Sequence, residues 1–138
     1  MVRQMVYTSR LTVPLANRAA FLSEIRDTSL RKNPPRGITG GLLIASDLVV
    51  QFVEGPQDSI STLMATLRAD ERHAGIEVVH NAVSPERNMP EWAMAVRDVT
   101  ESATSIQQIH TLVDDYRRSF RFRMNDLLLL MRSRLDLE

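Results

Sequence analysis

Cysteine is absent from the 138 residues. That removes disulfides, thiolate metal sites and cysteine nucleophiles. Net charge is also lacking, because 17 basic residues balance 17 acidic ones, and this argues against a nucleic-acid partner held by bulk electrostatics. The one basic concentration, RRSFRFR at Arg117–Arg123, reads as a solvated helix face. Imidazole is scarce: His73, His80 and His110 form no pair at metal-ligand spacing such as HxxxH, so no metal is expected. No apolar run approaches the roughly 18 residues of a membrane span. The N-terminal MVRQMVYTSR has no apolar signal-peptide core, and the expectation is a cytoplasmic chain without a membrane partner.

What is present centres on Gly37–Gly55, GITGGLLIASDLVVQFVEG. Two apolar runs, Ile38–Ala45 and Leu48–Val53, flank a polar break at Ser46-Asp47, which is a hairpin signal. The second run is apolar on both faces and therefore central in its sheet. Gln51 interrupts it. An amide buried there without a partner costs about 1–3 kcal/mol, so something must satisfy it.

Around the hairpin, Val2–Ser9 alternates as a strand, with Met5, Tyr7 and Ser9 on one face. A helix should open at Thr12-Val13-Pro14, carry Leu15, Ala19, Leu22 and Ile25 inward, and stop near Lys32, because Asn33 precedes Pro34-Pro35. Gly55-Pro56 opens a second helix with Ile60, Leu63, Met64 and Leu67 on one stripe. Ile76–Val83 and Trp92–Val96 read as fourth and fifth strands, the latter placing Trp92, Met94 and Val96 on one face. This order predicts an α+β, ferredoxin-like βαββαββ sandwich in residues 1–98, with both helices on one face of the sheet. The extension 99–138 supplies a helix or helix pair for the other face. Its stripe is Ile106, Ile109, Val113, Tyr116, Phe120, Met124, Leu127 and Met131. No glycine or proline follows Pro90, and Ser119 or Asn125 is the expected hinge.

In such a sheet the first and third strands are neighbours, so Tyr7 and Gln51 can face each other. Two readings stand open: a structural hydrogen bond in a core, which pattern alone favours, or the wall of a ligand site between the two helices. Asn33 reads as a helix C-cap or as an amide offered to a ligand. Arg72 and His73, just past the second helix, read as a solvated loop or as contacts to a ligand's phosphate or side chain. Trp92 and Met94 by themselves read as core.

Taken together, VYTSR, Asn33 followed by GITG, VVQFVEGP, ADERH and PEWAM resemble a BLUF domain, the flavin-binding sensor of blue light, over about residues 2–97. The resemblance implies FAD as cofactor. It puts the photoactive tyrosine on Tyr7, the switching glutamine on Gln51, the flavin-contacting asparagine on Asn33 and the basic pair on Arg72 and His73. The family's tryptophan and methionine fall on Trp92 and Met94, and Ser9, Ile25 and Leu67 align with positions lining the flavin. It further implies light-driven proton-coupled electron transfer from Tyr7 to flavin, a rearrangement of Gln51 and a red-shifted absorption. Gly41, Val49, Lys32 and Ala93 depart from the family's usual residues. The 41 residues after Arg97 are too few for a standard catalytic domain, so the expectation is a short, stand-alone, non-enzymatic receptor. It would act on a downstream signalling protein through its tail, as a homo-oligomer. The rival readings are a flavin-free ferredoxin-like regulatory or oligomerisation module and an acylphosphatase-like hydrolase, for which Arg10 is the sole basic candidate.

Overall fold

In a computed structural model, residues 1–135 are described. The strands are β1 (Val2–Leu11), β2 (Thr39–Ala45), β3 (Leu48–Gly55), β4 (His73–Ser84) and β5 (Ala95–Asp98). The helices are α1 (Arg18–Arg36), α2 (Gln57–Ala69), α3 (Ala103–Ser119) and α4 (Met124–Leu135). The strands form one sheet in the order β4-β1-β3-β2-β5. Neighbours are antiparallel except β2 and β5, which run parallel. This is the expected ferredoxin-like arrangement with an added edge strand.

Alternation along each strand builds two cores. Tyr7, Ile44, Val49 and Val53 point to the side of α1 and α2, where Leu22, Ile60 and Met64 meet them. Val6, Leu43, Val50 and Phe52 point the other way, onto Ile109 and Leu112 of α3 and Leu127, Leu130 and Met131 of α4. The sheet is thus covered on both faces by helix pairs, as its doubly apolar centre requires. The last three residues of the expected extension, 136–138, lie outside the described residues.

Several local expectations fail for identifiable reasons. α1 does not stop at Lys32 but runs through Pro34 and Pro35 to Arg36. The donors these prolines lack belong to a last turn whose solvent-side carbonyls water can satisfy. Gly37, at φ 68°, then closes the helix, with Ile38 N–H bonded to Asn33 C=O at 3.0 Å and Gly37 N–H to Pro34 C=O at 3.1 Å. The α conformation that proline disfavours at Asn33 is held by a tertiary bond, Asn33 Nδ2 to the Ala93 carbonyl at 2.6 Å. At the other end a short 3-10 turn, Leu15–Asn17, precedes α1 and leaves Leu15 78% exposed, so Leu15 and Ala19 are not on the inward stripe. Buried Arg18 starts the helix instead, near Asp47 at 3.4 Å and Asp98 at 3.7 Å.

The fifth strand begins at Ala95, not Trp92. β4 and β5 lie on opposite edges, so residues 85–94 must cross the width of the sheet as an irregular strap. Period-2 alternation does not hold along the strap. Met89 and Trp92 pack on the α3/α4 side, while Met94 packs on the α1/α2 side. In the tail α3 ends at Ser119, one of the two expected hinges, and Phe120 takes a left-handed cap at φ 57°. That cap turns Phe120 out of the stripe to 80% exposure.

Gly41 now has a physical role. A Cβ there would lie 2.8 Å from Leu135 Cδ1 and 3.3 Å from Met131 Sδ, so the missing side chain makes room for α4. Gly40 is tighter still, because its Cβ would stand 2.0 Å from the Phe52 carbonyl oxygen, which cannot move without breaking the β2–β3 ladder. Gly40→Ala is expected to destabilise the fold by about 1–3 kcal/mol. Urea unfolding checks this through a lowered midpoint at unchanged slope.

Candidate functional site

The β1–β3 register places Tyr7 directly opposite Gln51. Both are buried, and the Tyr7 hydroxyl donates to Gln51 Oε1. The other end of the same amide, Nε2, donates to Met94 Sδ at 3.4 Å. A thioether is a weak acceptor and the amide carries two N–H donors, so Gln51 keeps donor capacity to spare. The structural Tyr–Gln bond is therefore real, and it leaves the amide incompletely used.

That spare capacity faces a cleft of about 190 Å³ between α1 and α2. Its floor comes from β1 to β3, with Tyr7, Gln51, Leu42, Ile44 and Val49. Ile25 and Asn33 of α1 form one wall and Leu63 and Leu67 of α2 the other. Asn33 Oδ1 makes no hydrogen bond among the described residues, although its Nδ2 is taken by Ala93. The site is apolar with a few convergent amides and one phenol, which suits a flat, largely apolar ligand bearing acceptor and donor atoms along one edge.

The mouth is polar. Arg72 and Lys32 line it together with Ser29, Arg36 and Asp70. Arg72 grips Asp70 through Nε at 2.9 Å and Nη2 at 2.7 Å, and its guanidinium lies 5.0 Å from the Phe21 ring centre. The hydrogen bond from Arg72 holds the Asp70 carboxyl below the usual carboxylate range. His73 lines the cleft with both ring nitrogens engaged: Nδ1 lies 2.8 Å from Ser9 Oγ and Nε2 lies 2.7 Å from the Leu67 carbonyl. A carbonyl only accepts, so Nε2 carries the hydrogen.

The expected residues thus divide. Tyr7, Ile25, Asn33, Gln51, Leu67, Arg72 and His73 come together around one cleft. Met94 touches Gln51 from the edge. Ser9 reaches the cleft only through His73, whose Nδ1 it meets. The shared strand face expected for Trp92, Met94 and Val96 is a correction: Trp92 packs on the opposite face of the sheet because residue 92 precedes the strand. Arg10 is exposed and no part of the cleft. Phe21, Thr28, Ser29 and Arg36 were missed as lining residues. Their signal was available: they share the α1 face of Ile25 and Asn33, and that face is too polar to be plain core.

Known proteins agree with this geometry. Residues 2–95 match the family model described as BLUF, sensors of blue-light using FAD. The chain belongs to the BLUF family, whose members bind flavin and sense blue light. It is 38% identical over 91 residues to the photoactivated adenylate cyclase subunit beta of Euglena gracilis, a match that takes in 65% of this chain and 10% of that protein. The chain therefore spans only about a tenth of the curated relatives it matches first. Among solved structures it is similar to BlrB, a BLUF protein in its dark state, with a TM-score of 0.75, 27% identity and 96% of each chain covered. It is also similar to a bacterial light-regulated adenylyl cyclase, with a TM-score of 0.70 and 25% identity, over 87% of this chain and 38% of that one. Among the described residues no helix is long and apolar enough to cross a membrane.

Burial, with a contribution from the charge of Asp70, pushes the Tyr7 phenol well above its ordinary value of 10.0. The folded state therefore holds this proton more tightly than the unfolded chain. The associated stability is complete below pH about 10 and is lost as pH rises above it. Tyr7→Phe is expected to remove one proton's share of that alkaline loss, up to about 1.4 kcal/mol per pH unit. Unfolding free energies of parent and variant between pH 9 and 11 check this, each pH being a setting of the experiment.

Proposed function

We propose that this chain binds FAD in the α1–α2 cleft and senses blue light through Tyr7 and Gln51. The observation that carries the reading is the buried Tyr7–Gln51–Met94 line, whose central amide retains donor capacity at the cleft wall. Asn33 lines the cleft and its amide oxygen makes no hydrogen bond among the described residues, so it would hold the ring from the α1 side. Ile25 and Leu67 bracket it. Arg72 and Lys32 at the mouth suit the phosphates of the dinucleotide, with Asp70 restraining the arginine. His73 presents its ring rather than a free nitrogen, and Ser9 fixes that ring.

Bound flavin supplies the chromophore and, when excited, an electron acceptor. Tyr7 is the phenol on the cleft wall, and it gives up the electron. Its proton has a defined exit, since the hydroxyl already points at Gln51 Oε1. Burial makes loss of the proton alone unfavourable, so the proton does not leave before the electron. An amide that has received a proton on oxygen would release one from nitrogen toward the ring, or the side chain would rotate, and the electron and a proton would then return to the Tyr7 radical, so that no net oxidation remains. Either change alters what Gln51 donates to the ring edge and to Met94. Met94 is thereby released or re-paired, and the strap that carries it shifts.

The extension 99–138 is the surface on which the shift emerges. β5 and the strap border α4, where Arg97 Nη1 donates to the Arg134 carbonyl at 2.9 Å. A downstream signalling protein or a second copy of the chain reads the change there, and the receptor itself performs no catalysis.

Purified protein is expected to be yellow and to show a reversible red shift under blue light without net bleaching. Gln51→Leu should keep the flavin and lose the shift, since leucine fills the space without an amide. Tyr7→Phe should keep the flavin and block the normal photocycle. Absorption spectra before and after illumination check all three; an unaltered shift in Gln51→Leu would remove the glutamine from the account.

A further inference from the structure

Glu54 is fully buried, and no part of the photochemical account uses it. It lies three residues after Gln51 on β3 and so on the opposite face, under the strap. Its Oε1 accepts from the Asn88 backbone N–H at 2.8 Å and from Gln4 Nε2 at 3.2 Å. Its Oε2 accepts from the Met89 backbone N–H at 2.7 Å and from Thr39 Oγ1 at 3.1 Å. Among the described residues no cation pairs with this carboxylate. A buried carboxylate held only by neutral donors is costly to place and is stabilised by those four bonds together.

Two of the four donors belong to the segment that ends at the cleft. Beyond Asn88 and Met89, the Trp92 carbonyl accepts from Gly40 N–H at 3.0 Å, the Ala93 carbonyl from Asn33, and Met94 Sδ from Gln51. The strap is thus fixed at one end by Glu54 and touches the light-sensitive amide at the other. Asn88 also faces outward: its carbonyl accepts from Arg132 of α4, which lies 3.6 Å from Glu91 as well.

We propose that Glu54 is a positioning residue for the light response, which holds the strap so that Met94 rests against Gln51 and returns there after illumination. This rests on the flavin-sensor reading above. When Gln51 changes its bonds and Met94 moves, the strain passes along the strap through the Ala93 and Trp92 carbonyl bonds to its carboxylate anchor, the two amides on Glu54. Restoring those bonds drives the strap back. Release of the Asn88 amide also loosens the residue that Arg132 holds, which carries the event to α4.

Glu54→Gln keeps the shape but puts an amide nitrogen, a donor, where two donors already point, so at least one strap bond is lost. The dark return of the red-shifted state in the flavin-loaded full chain should then slow about fivefold or more, the effect expected for one buried hydrogen bond. Flavin content and red shift should match the parent. A purely structural Glu54 would lower the melting temperature and leave the return rate alone. Slowing by less than fivefold, or acceleration, overturns the proposal. If the variant does not fold, the parent decides: light should speed exchange of the Asn88 and Met89 amides about fivefold or more, and equal exchange in light and dark overturns it. A parent without a red shift would instead remove the sensor reading itself, which is a separate outcome.

Discussion

The hydrogen bond between Tyr7 and Gln51 is the constraint on which the rest depends. Two polar side chains sit opposite each other in the middle of a doubly covered sheet, where each is almost wholly shielded from water. Each is affordable there only because the other is present, and the register of β1 on β3 is what brings them together. A one-residue slip would turn Tyr7 onto the α3/α4 face and leave the amide unpaired. The burial pattern opposes this, since the same slip of β1 would turn Val6 out of its core on the α3/α4 face. Register, burial and the polar pair therefore support one another.

The second constraint is topological. With β4 and β5 on opposite edges, the connection between them has to cross the sheet, and an irregular segment crossing a core must satisfy its backbone. Side chains from the sheet do this. Gln4 Nε2 reaches the Glu86 carbonyl at 3.3 Å and Glu54 takes two amides, while the strap's own Arg87 ties it to the Gly37 carbonyl at 2.6 Å. The same segment carries Trp92 on one face and Met94 on the other. A piece of chain that is hydrogen-bonded from several elements yet belongs to no ladder can hold two arrangements more readily than a strand can.

Much of this was legible in the amino-acid pattern, and the failures share a cause. Strand alternation and strand order were enough to oppose Tyr7 and Gln51, because period 2 is dictated by backbone geometry. Apolar centre strands were enough to require helices on both faces. Trp92 was misplaced because period 2 was applied where the backbone is not a strand. The end of α1 was misplaced because a local proline bias at Asn33 lost to a tertiary bond with Ala93, which lies 60 residues away and leaves no local trace. Phe120 fitted a helical stripe but fell on the left-handed cap that ends α3. Glu54 looked like an ordinary strand end before Gly55-Pro56, and only the folded strap reveals what its carboxylate binds.

The central claim is that light acts by changing the hydrogen bonding of one buried glutamine side chain. Light-minus-dark infrared difference spectroscopy tests it most directly, on the flavin-loaded protein carrying isotope in its glutamine side-chain amides. The account predicts label-sensitive amide bands that appear with the red shift and decay with it at the same rate. A full red shift with no label-sensitive amide band would contradict it.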